Sequence, residues 1–242
     1  CSLPAGRVTD VTARLPSVFA AAATLALWAW TFRRLCGPTA ALLALLLTPC
    51  SWLWLDRVPS AEIDVVQLAW VSGAMVFLLR GVEAEEAAGR AGRWWLAAMV
   101  CVAGGLFTKW TAPAFFYLTA VPWLWWRGRA SLLLRRPHLV GACAVAALTL
   151  AWLWLAAESA GWRTLSDTLR REALLRLSPG HHPRPYPWGE LLTFPLSFLL
   201  GCLPGALAAP CALRPAFVRS LDERQRLWQL CQCWLWVNLL FW

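Results

Sequence analysis

Lys109 is the only lysine among the 22 basic residues of this chain, and it lies between two apolar runs. A lone ammonium beside membrane-length apolar segments is costly to bury, so it either snorkels to an interface or binds an anion. Two carboxylates, Glu62 and Asp64, stand at the start of another apolar run. Carboxylates in such a place can act on a hydroxyl or amine acceptor or hold a metal ion. These residues predict a site that combines an anion-binding cation with an acid–base carboxylate.

Further candidate site residues lie in two polar stretches. Arg57 precedes the two acids, and Arg184 belongs to the proline-rich segment 178–188. Their guanidinium groups are suited to neutralising a phosphate. His181 and His182 are candidate ligands of a divalent metal, the one cofactor that we expect. Adjacent histidines in an extended chain point different ways, so at most one would bind a given metal, and a solvated loop is the alternative.

The composition indicates which elements must position these residues. The chain has 242 residues, of which 60% are hydrophobic and 14% charged, with 19 tryptophans. Soluble domains contain roughly 45–50% apolar and about 25% charged residues. Apolar runs of roughly 17–20 residues, the span of a hydrocarbon core, recur along the chain. The net charge of +9 comes from arginines in short loops, which argues against nucleic acid as a partner.

We therefore predict an all-α fold, a polytopic transmembrane helical bundle of about eight spans. The predicted spans are 16–32, 38–55, 63–79, 94–108, 110–126, 138–157, 190–210 and 227–242. They form a single transmembrane domain over residues 1–242, in which 1–15 would be the tail of an outer loop. The chain begins without Met and stops inside an apolar run, so we expect a fragment that lacks parts at both ends.

The distribution of basic residues predicts the topology. Of the 22 basic residues, 13 fall in one set of alternating loops, which the positive-inside rule places in the cytoplasm. Lys109 and the long loop 158–188 then face outward. In this loop, residues 164–177 place Leu165 and Leu169 on one helical face, which predicts a short helix on the membrane surface. Cations, carboxylates and histidines together at a bilayer surface suit a lipid-linked phosphate or pyrophosphate.

Five stretches, in chain order, also carry a resemblance to a known family. They are Arg14-Leu-Pro-Ser17, Arg33-Arg34-Leu-Cys-Gly37, Arg57-Val-Pro-Ser-Ala-Glu62-Ile-Asp64, Gly105-Leu-Phe-Thr-Lys109-Trp-Thr-Ala-Pro113, and His181 to Trp188 followed by Phe194-Pro195 and Leu203-Pro204-Gly205. The ordered set resembles the bacterial branch of the protein O-mannosyltransferase superfamily, the C-type glycosyltransferases that include the lipid A aminoarabinose transferases. Trp110 stands where the family segment has a glycine.

The resemblance implies a membrane enzyme of the bacterial inner membrane. Family members move a sugar from a polyprenyl-phosphate donor to a lipid, protein or glycan acceptor at the outer face. By resemblance, Lys109 would bind the donor phosphate with Arg184 and Arg57, and Asp64 or Glu62 would be the catalytic carboxylate.

Two further roles follow from the same resemblance. His181 or His182 would contact the phosphate or a metal. The family's principal acid–base aspartate lies in the first outer loop, upstream of the motif that begins at Arg14. Only residues 1–13 would belong to that loop, as its tail, so Asp10 is a poor candidate for that role, and we expect this fragment to lack the main catalytic aspartate.

Other interpretations of the same residues remain open. Lys109 lies at a span end, where a snorkelling lysine is equally compatible with its position. Asp64 lies at the start of a predicted helix, where an acid interacts favourably with the helix dipole. For the whole chain, the alternatives are a polytopic lipid or solute transporter and a membrane scaffold. Transporters place ionisable groups near the bilayer midplane and often contain repeats, whereas here the polar residues fall at span ends.

Overall fold

The computed structural model of the chain describes residues 9–60, 62–87, 89, 91–177, 188–212, 214–221 and 224–241. Within these ranges every regular element is a helix, so the predicted all-α class is confirmed. The α-helices are α1 (Asp10–Cys36), α2 (Pro38–Leu47), α3 (Trp52–Arg57), α4 (Ile63–Glu86), α5 (Gly92–Thr108), α6 (Ala112–Trp126), α7 (Arg136–Ala160), α8 (Trp162–Leu177), α9 (Trp188–Gly201), α10 (Ala209–Ala212), α11 (Pro215–Arg219) and α12 (Gln225–Phe241). Short 3-10 helices occupy Ala130–Leu134 and Gly205–Ala208.

Three of the described helices are long and apolar enough to cross a membrane, namely α1, α4 and α7. The helices α2 and α5 are apolar but shorter. A chain with such helices is a membrane protein, since apolar helices of this length match the hydrocarbon thickness. The count of about eight spans remains a prediction.

Two predicted spans are wrong as continuous helices. The segment 38–55 divides into α2 and α3, because Pro49 has no backbone N–H to continue the helical ladder. The hydroxyl of Ser51 then caps α3 by accepting from the N–H of Trp54 at 3.4 Å. The segment 190–210 ends its α-helix at Gly201 and continues as a turn and a 3-10 helix, with Pro204 in the turn.

The centre of the bundle is α4, which contacts α1, α5 and α6. Its most apolar stretch is 67% buried, whereas that of α7 is only 6% buried. Large side chains such as Trp95 and Trp123 fill the core beside it and are fully buried. The outer face of α7 exposes apolar side chains such as Trp154, which suits a helix surrounded by lipid. The other helices thus pack around α4, and their side chains are positioned relative to it.

Small residues set how closely the helices approach. A Cβ atom built on Gly73 of α4 would lie 2.9 Å from Cys101 Sγ of α5. A Cβ atom on Gly104 of α5 would lie 2.7 Å from the ring of Trp70 on α4. Close packing of this kind holds membrane helices together, because lipid gives little hydrophobic reason for two helices to associate. The ends of α4 and α5 are thereby held in register.

The predicted surface helix at 164–177 is present as α8, which begins two residues earlier at Trp162. Gly161 separates it from α7 with a φ of 86°, a left-handed conformation that glycine adopts without strain. The indole of Trp162 packs edge-on against Trp154 of α7, with ring centroids 5.6 Å apart. The helix is confirmed, while its place on the outer membrane surface remains a prediction.

Glu86, at the end of α4, joins α4 to two other helices. Its carboxylate lies 2.6 Å from Arg127, just after α6, and 3.1 Å from Arg226 of α12. We expect Glu86→Gln to lower the free energy of unfolding by on the order of 1 kcal/mol, since the three side chains are about one-fifth exposed and partly screened. Glu85→Gln is the matched control, and thermal unfolding in detergent is the measurement. An equal loss in both variants would contradict a specific role for Glu86.

Candidate functional site

The predicted cation and carboxylate meet in the structure. α5 ends at Thr108, and Lys109 continues in an extended conformation with a φ of −156°, its N–H donating to Gly105 O at 2.7 Å. Lys109 Nζ then forms an ion pair with the Oδ1 atom of Asp64, in the first turn of α4. The Lys109 side chain is 30% exposed and the Asp64 side chain 57% exposed. The pair is therefore reachable from outside the bundle.

The connection between α5 and α6 has a second contact with α4. Gln67 Nε2 donates to Thr111 Oγ1 at 2.9 Å, and Gln67 is only 6% exposed. Gln67 follows Asp64 by three residues, so both side chains lie on the same face of α4. Two contacts thus attach the three-residue connection to this face, and they position the Lys109 ammonium.

Gln67 and Thr111 are not among the site residues predicted from the sequence. The available signal was a glutamine one helical turn after Asp64, inside an otherwise apolar run. A buried amide needs a hydrogen-bond partner, and polar residues within membrane helices face the bundle interior. That pattern predicts a polar contact but does not identify Thr111 as the partner.

Glu62 and Arg57 lie at the same end of the bundle. Glu62 precedes α4 as its N-cap, yet its side chain makes no capping bond and instead accepts from Arg57 Nη1 at 2.9 Å. Arg57 Nε also lies 3.1 Å from Asp56, a local ion pair in which both side chains are 53% exposed. The hydroxyl of Ser17 on α1 donates to the backbone carbonyl of Glu62 at 3.3 Å. The structure therefore joins Glu62 to Arg57 and Asp64 to Lys109, as two neighbouring ion pairs.

The remaining predicted site residues, Arg184, His181 and His182, lie outside the described residues. Their proposed contacts with phosphate or metal stay predictions. Among the residues that the structure describes, no group of three His, Cys, Asp or Glu side chains is placed to hold a metal ion. The divalent metal is likewise still a prediction.

Both sequence interpretations of Asp64 are compatible with its position. It lies in the first turn of α4, where a negative charge stabilises the helix, and it is also the counterion of Lys109. The arrangement has a chemical consequence beyond stability. A phosphate that approached Lys109 would compete with Asp64 for the ammonium, and the displaced carboxylate would be available as a proton acceptor.

The Gln67–Thr111 bond gives a stability prediction. Gln67→Leu and Thr111→Val should each destabilise the protein, and a double-mutant cycle should give a coupling on the order of 1 kcal/mol, the value of a partly buried neutral hydrogen bond. The measurement is thermal unfolding of the four proteins in one detergent. Strictly additive losses would mean that the two side chains do not interact.

The comparisons with known proteins bear on this site. The chain matches the model of the dolichyl-phosphate-mannose-protein mannosyltransferase family over residues 5–154, which is more than half of its length. No curated protein and no solved structure matches the chain. The matched segment contains α1 to α6 and therefore both ion pairs described above. The chain belongs to the dolichyl-phosphate-mannose-protein mannosyltransferase family.

Proposed function

We propose that the protein transfers a sugar from a polyprenyl-phosphate donor to an acceptor at the outer face of the membrane. Membership of this family makes it a membrane glycosyltransferase of the mannosyltransferase type. The observation that carries the finer proposal is the ion pair between Lys109 and Asp64, which places a cation and an exposed carboxylate together at one end of apolar helices. Most loop arginines belong to the loops at the opposite end, which the positive-inside rule assigns to the cytoplasm. This distribution supports an outward orientation for the end that carries Lys109.

The donor end of the reaction uses the cations. Lys109 binds the phosphate that links the sugar to the lipid, and the ammonium stabilises the charge of the departing polyprenyl phosphate. Arg57 lies beside the same end of α4 and is 53% exposed, so its guanidinium can supply a second contact to the phosphate. Arg184 is the third candidate for this role. The lipid tail lies along the apolar helices, which keeps the donor phosphate at the level of the helix ends.

The acceptor end of the reaction uses a carboxylate. Once phosphate engages Lys109, Asp64 accepts the proton of the acceptor hydroxyl as its oxygen attacks the anomeric carbon. The new glycosidic bond forms as the bond from that carbon to the phosphate oxygen breaks, and the leaving phosphate takes the electron pair. A single displacement of this kind inverts the anomeric carbon. Glu62, two residues before Asp64 and paired with Arg57, is the alternative carboxylate.

The test is a transfer assay on the protein reconstituted in nanodiscs. The donor is a radiolabelled polyprenyl-phosphate mannose, chosen because the family description names mannose, and a membrane extract supplies acceptors. Label that moves into protein, lipid or glycan supports the proposal and identifies the acceptor class. Donor binding without transfer, or movement of the donor across the bilayer, would instead favour a transporter.

A further inference from the structure

A second site lies at the opposite end of the bundle from Lys109. A cavity of about 850 Å³ opens between the ends of α1, α4 and α5 and the segment that leads into α12. Its lining includes five arginines and one glutamate: Arg34, Arg80, Arg93, Arg224, Arg226 and Glu83. Glu83 follows Asp64 by 19 residues on the same helix. At 1.5 Å per residue the two residues are about 28 Å apart along the helix axis, so the cavity is separate from the Lys109–Asp64 pair.

Among the described residues that line the cavity, positive charges outnumber negative ones. Arg34 and Arg80 share the single carboxylate of Glu83, at 2.8 Å and 3.3 Å. Among the residues that the structure describes, Arg93 and Arg224 have no carboxylate within 4.0 Å. Clustered guanidinium groups repel one another, and a dianion placed between them would relieve that repulsion. The described lining therefore favours an anionic ligand.

Aromatic rings hold the guanidinium groups in place. The Arg80 guanidinium lies over the rings of Trp94 and Trp30, at 4.8 Å and 5.4 Å from their centroids. The Arg93 guanidinium also lies over the Trp94 ring, 4.9 Å from its centroid. Such cation–π contacts are worth about 0.5–1 kcal/mol each at exposed sites and restrict the side chains without neutralising them. The guanidinium groups of Arg80 and Arg93 are therefore held in position before a ligand binds.

One hydrogen-bond donor among these arginines has no partner within the described part of the chain. Arg80 Nε is buried and makes no hydrogen bond there. Leaving a buried charged donor unpaired costs free energy, so this nitrogen does not offset the positive charge of the group. The Arg80 side chain is 25% exposed, so the accessible part of its guanidinium adds positive charge to the cavity.

We propose that this cavity binds a phosphate group. Planar guanidinium groups match phosphate oxygens in pairs, and 850 Å³ lies within the usual range of ligand cavities of about 300–1,000 Å³. The phosphate can come from the headgroup of an anionic membrane lipid or from free phosphate in solution. Basic pockets between membrane helices at this level bind anionic headgroups. The site is distinct from the transfer reaction, so its test does not depend on the proposed function.

The test compares two double variants that remove the same charge from the same end of the bundle. Arg93→Gln/Arg224→Gln changes the cavity, whereas Arg33→Gln/Arg129→Gln changes exposed arginines that do not line it. Binding of phosphatidylglycerol and of phosphatidylcholine to the purified protein is measured by native mass spectrometry. We expect phosphatidylglycerol to bind at least about tenfold more weakly to the cavity variant, from the loss of two charge-assisted contacts. The control should change by less than about twofold.

Added inorganic phosphate then distinguishes the two sources. Displacement of phosphatidylglycerol by millimolar phosphate would assign the cavity to a free phosphate anion, and resistance to displacement would assign it to the lipid headgroup. Equal weakening in both double variants, or equal binding of phosphatidylcholine, would overturn the proposal. Size-exclusion chromatography checks folding. If the double variant misfolds, Arg224→Gln alone decides the matter, because Arg224 is exposed in the turn before α12.

Discussion

Replacing Lys109 by methionine should lower sugar transfer by at least about 10²–10³-fold, the usual effect of removing one preorganised charge from a reacting oxyanion. Methionine keeps an unbranched chain of similar length and removes only the ammonium. The protein should stay folded, because Asp64 is 57% exposed and its carboxylate remains solvated when the ion pair is lost. The measurement is the nanodisc transfer assay at saturating and at limiting donor concentrations.

Two controls make this result interpretable. Arg163→Met removes one positive charge from the exposed surface of α8 and should leave transfer within about twofold of the unmodified protein. Lys109→Arg keeps the charge and should restore part of the activity. Normal turnover in Lys109→Met would refute the assignment of this residue to the donor phosphate, and it would favour the snorkelling interpretation.

Asp64→Asn separates a chemical role from a structural one. If the carboxylate takes the acceptor proton, the amide should reduce the maximal rate by about 10²-fold or more, the usual contribution of a general base. If Asp64 only stabilises the start of α4, the cost is about 0.3–1 kcal/mol of stability and the rate is preserved. The same substitution in Glu62 tests the neighbouring carboxylate. A rate that falls only in Glu62→Gln would move the acid–base role to that residue.

The second large effect concerns Gly105, which lies where three helices meet just before Lys109. A Cβ atom on this residue would lie 2.6 Å from Ala112 Cβ of α6 and 3.3 Å from Trp70 Cβ of α4. Gly105→Val should therefore push the helices apart and lower stability by about 1–3 kcal/mol. Because Gly105 O accepts the N–H of Lys109, the displacement should also move the ammonium away from Asp64.

The matched control for this prediction is Gly189→Val. Gly189 is also helical and exposed, and no atom of the described residues lies within 4 Å of a Cβ atom built there. Thermal unfolding of both variants in detergent, followed by the transfer assay on the folded fraction, gives the two readouts. A Gly105→Val protein as stable as the Gly189→Val protein would show that the three helices are not closely packed at this point.

Several features could be read from the sequence because they depend on local properties. Hydrophobicity and run length identify apolar helices, and α1, α4 and α7 agree with the predicted segments in type and approximate position. The order of short motifs was enough to identify the family, which the family match over residues 5–154 confirms. The break between α2 and α3 was missed although Pro49 is visible, because leucines on both sides keep the average hydrophobicity high.

The side-chain contacts at the two ends of the bundle could not be predicted from local properties of the sequence. Lys109 and Asp64 are 45 residues apart, and their ion pair depends on how α4 packs against the hairpin of α5 and α6. Gln67 and Thr111 meet for the same reason. The arginine cavity brings together residues of α1, α4, α5 and α12 that share no sequence pattern.

The sequence by itself therefore determined that this is an all-α membrane protein, which residues carry unusual charge, and the family to which it belongs. The tertiary structure decided which charges face each other. The physical reason is that apolar length and helix formation are properties of neighbouring residues, whereas side-chain pairing follows from helix–helix register. That register is set by close approaches such as Gly104 to Trp70 and Gly105 to Ala112, in which the glycine backbone of one helix lies against a side chain of another.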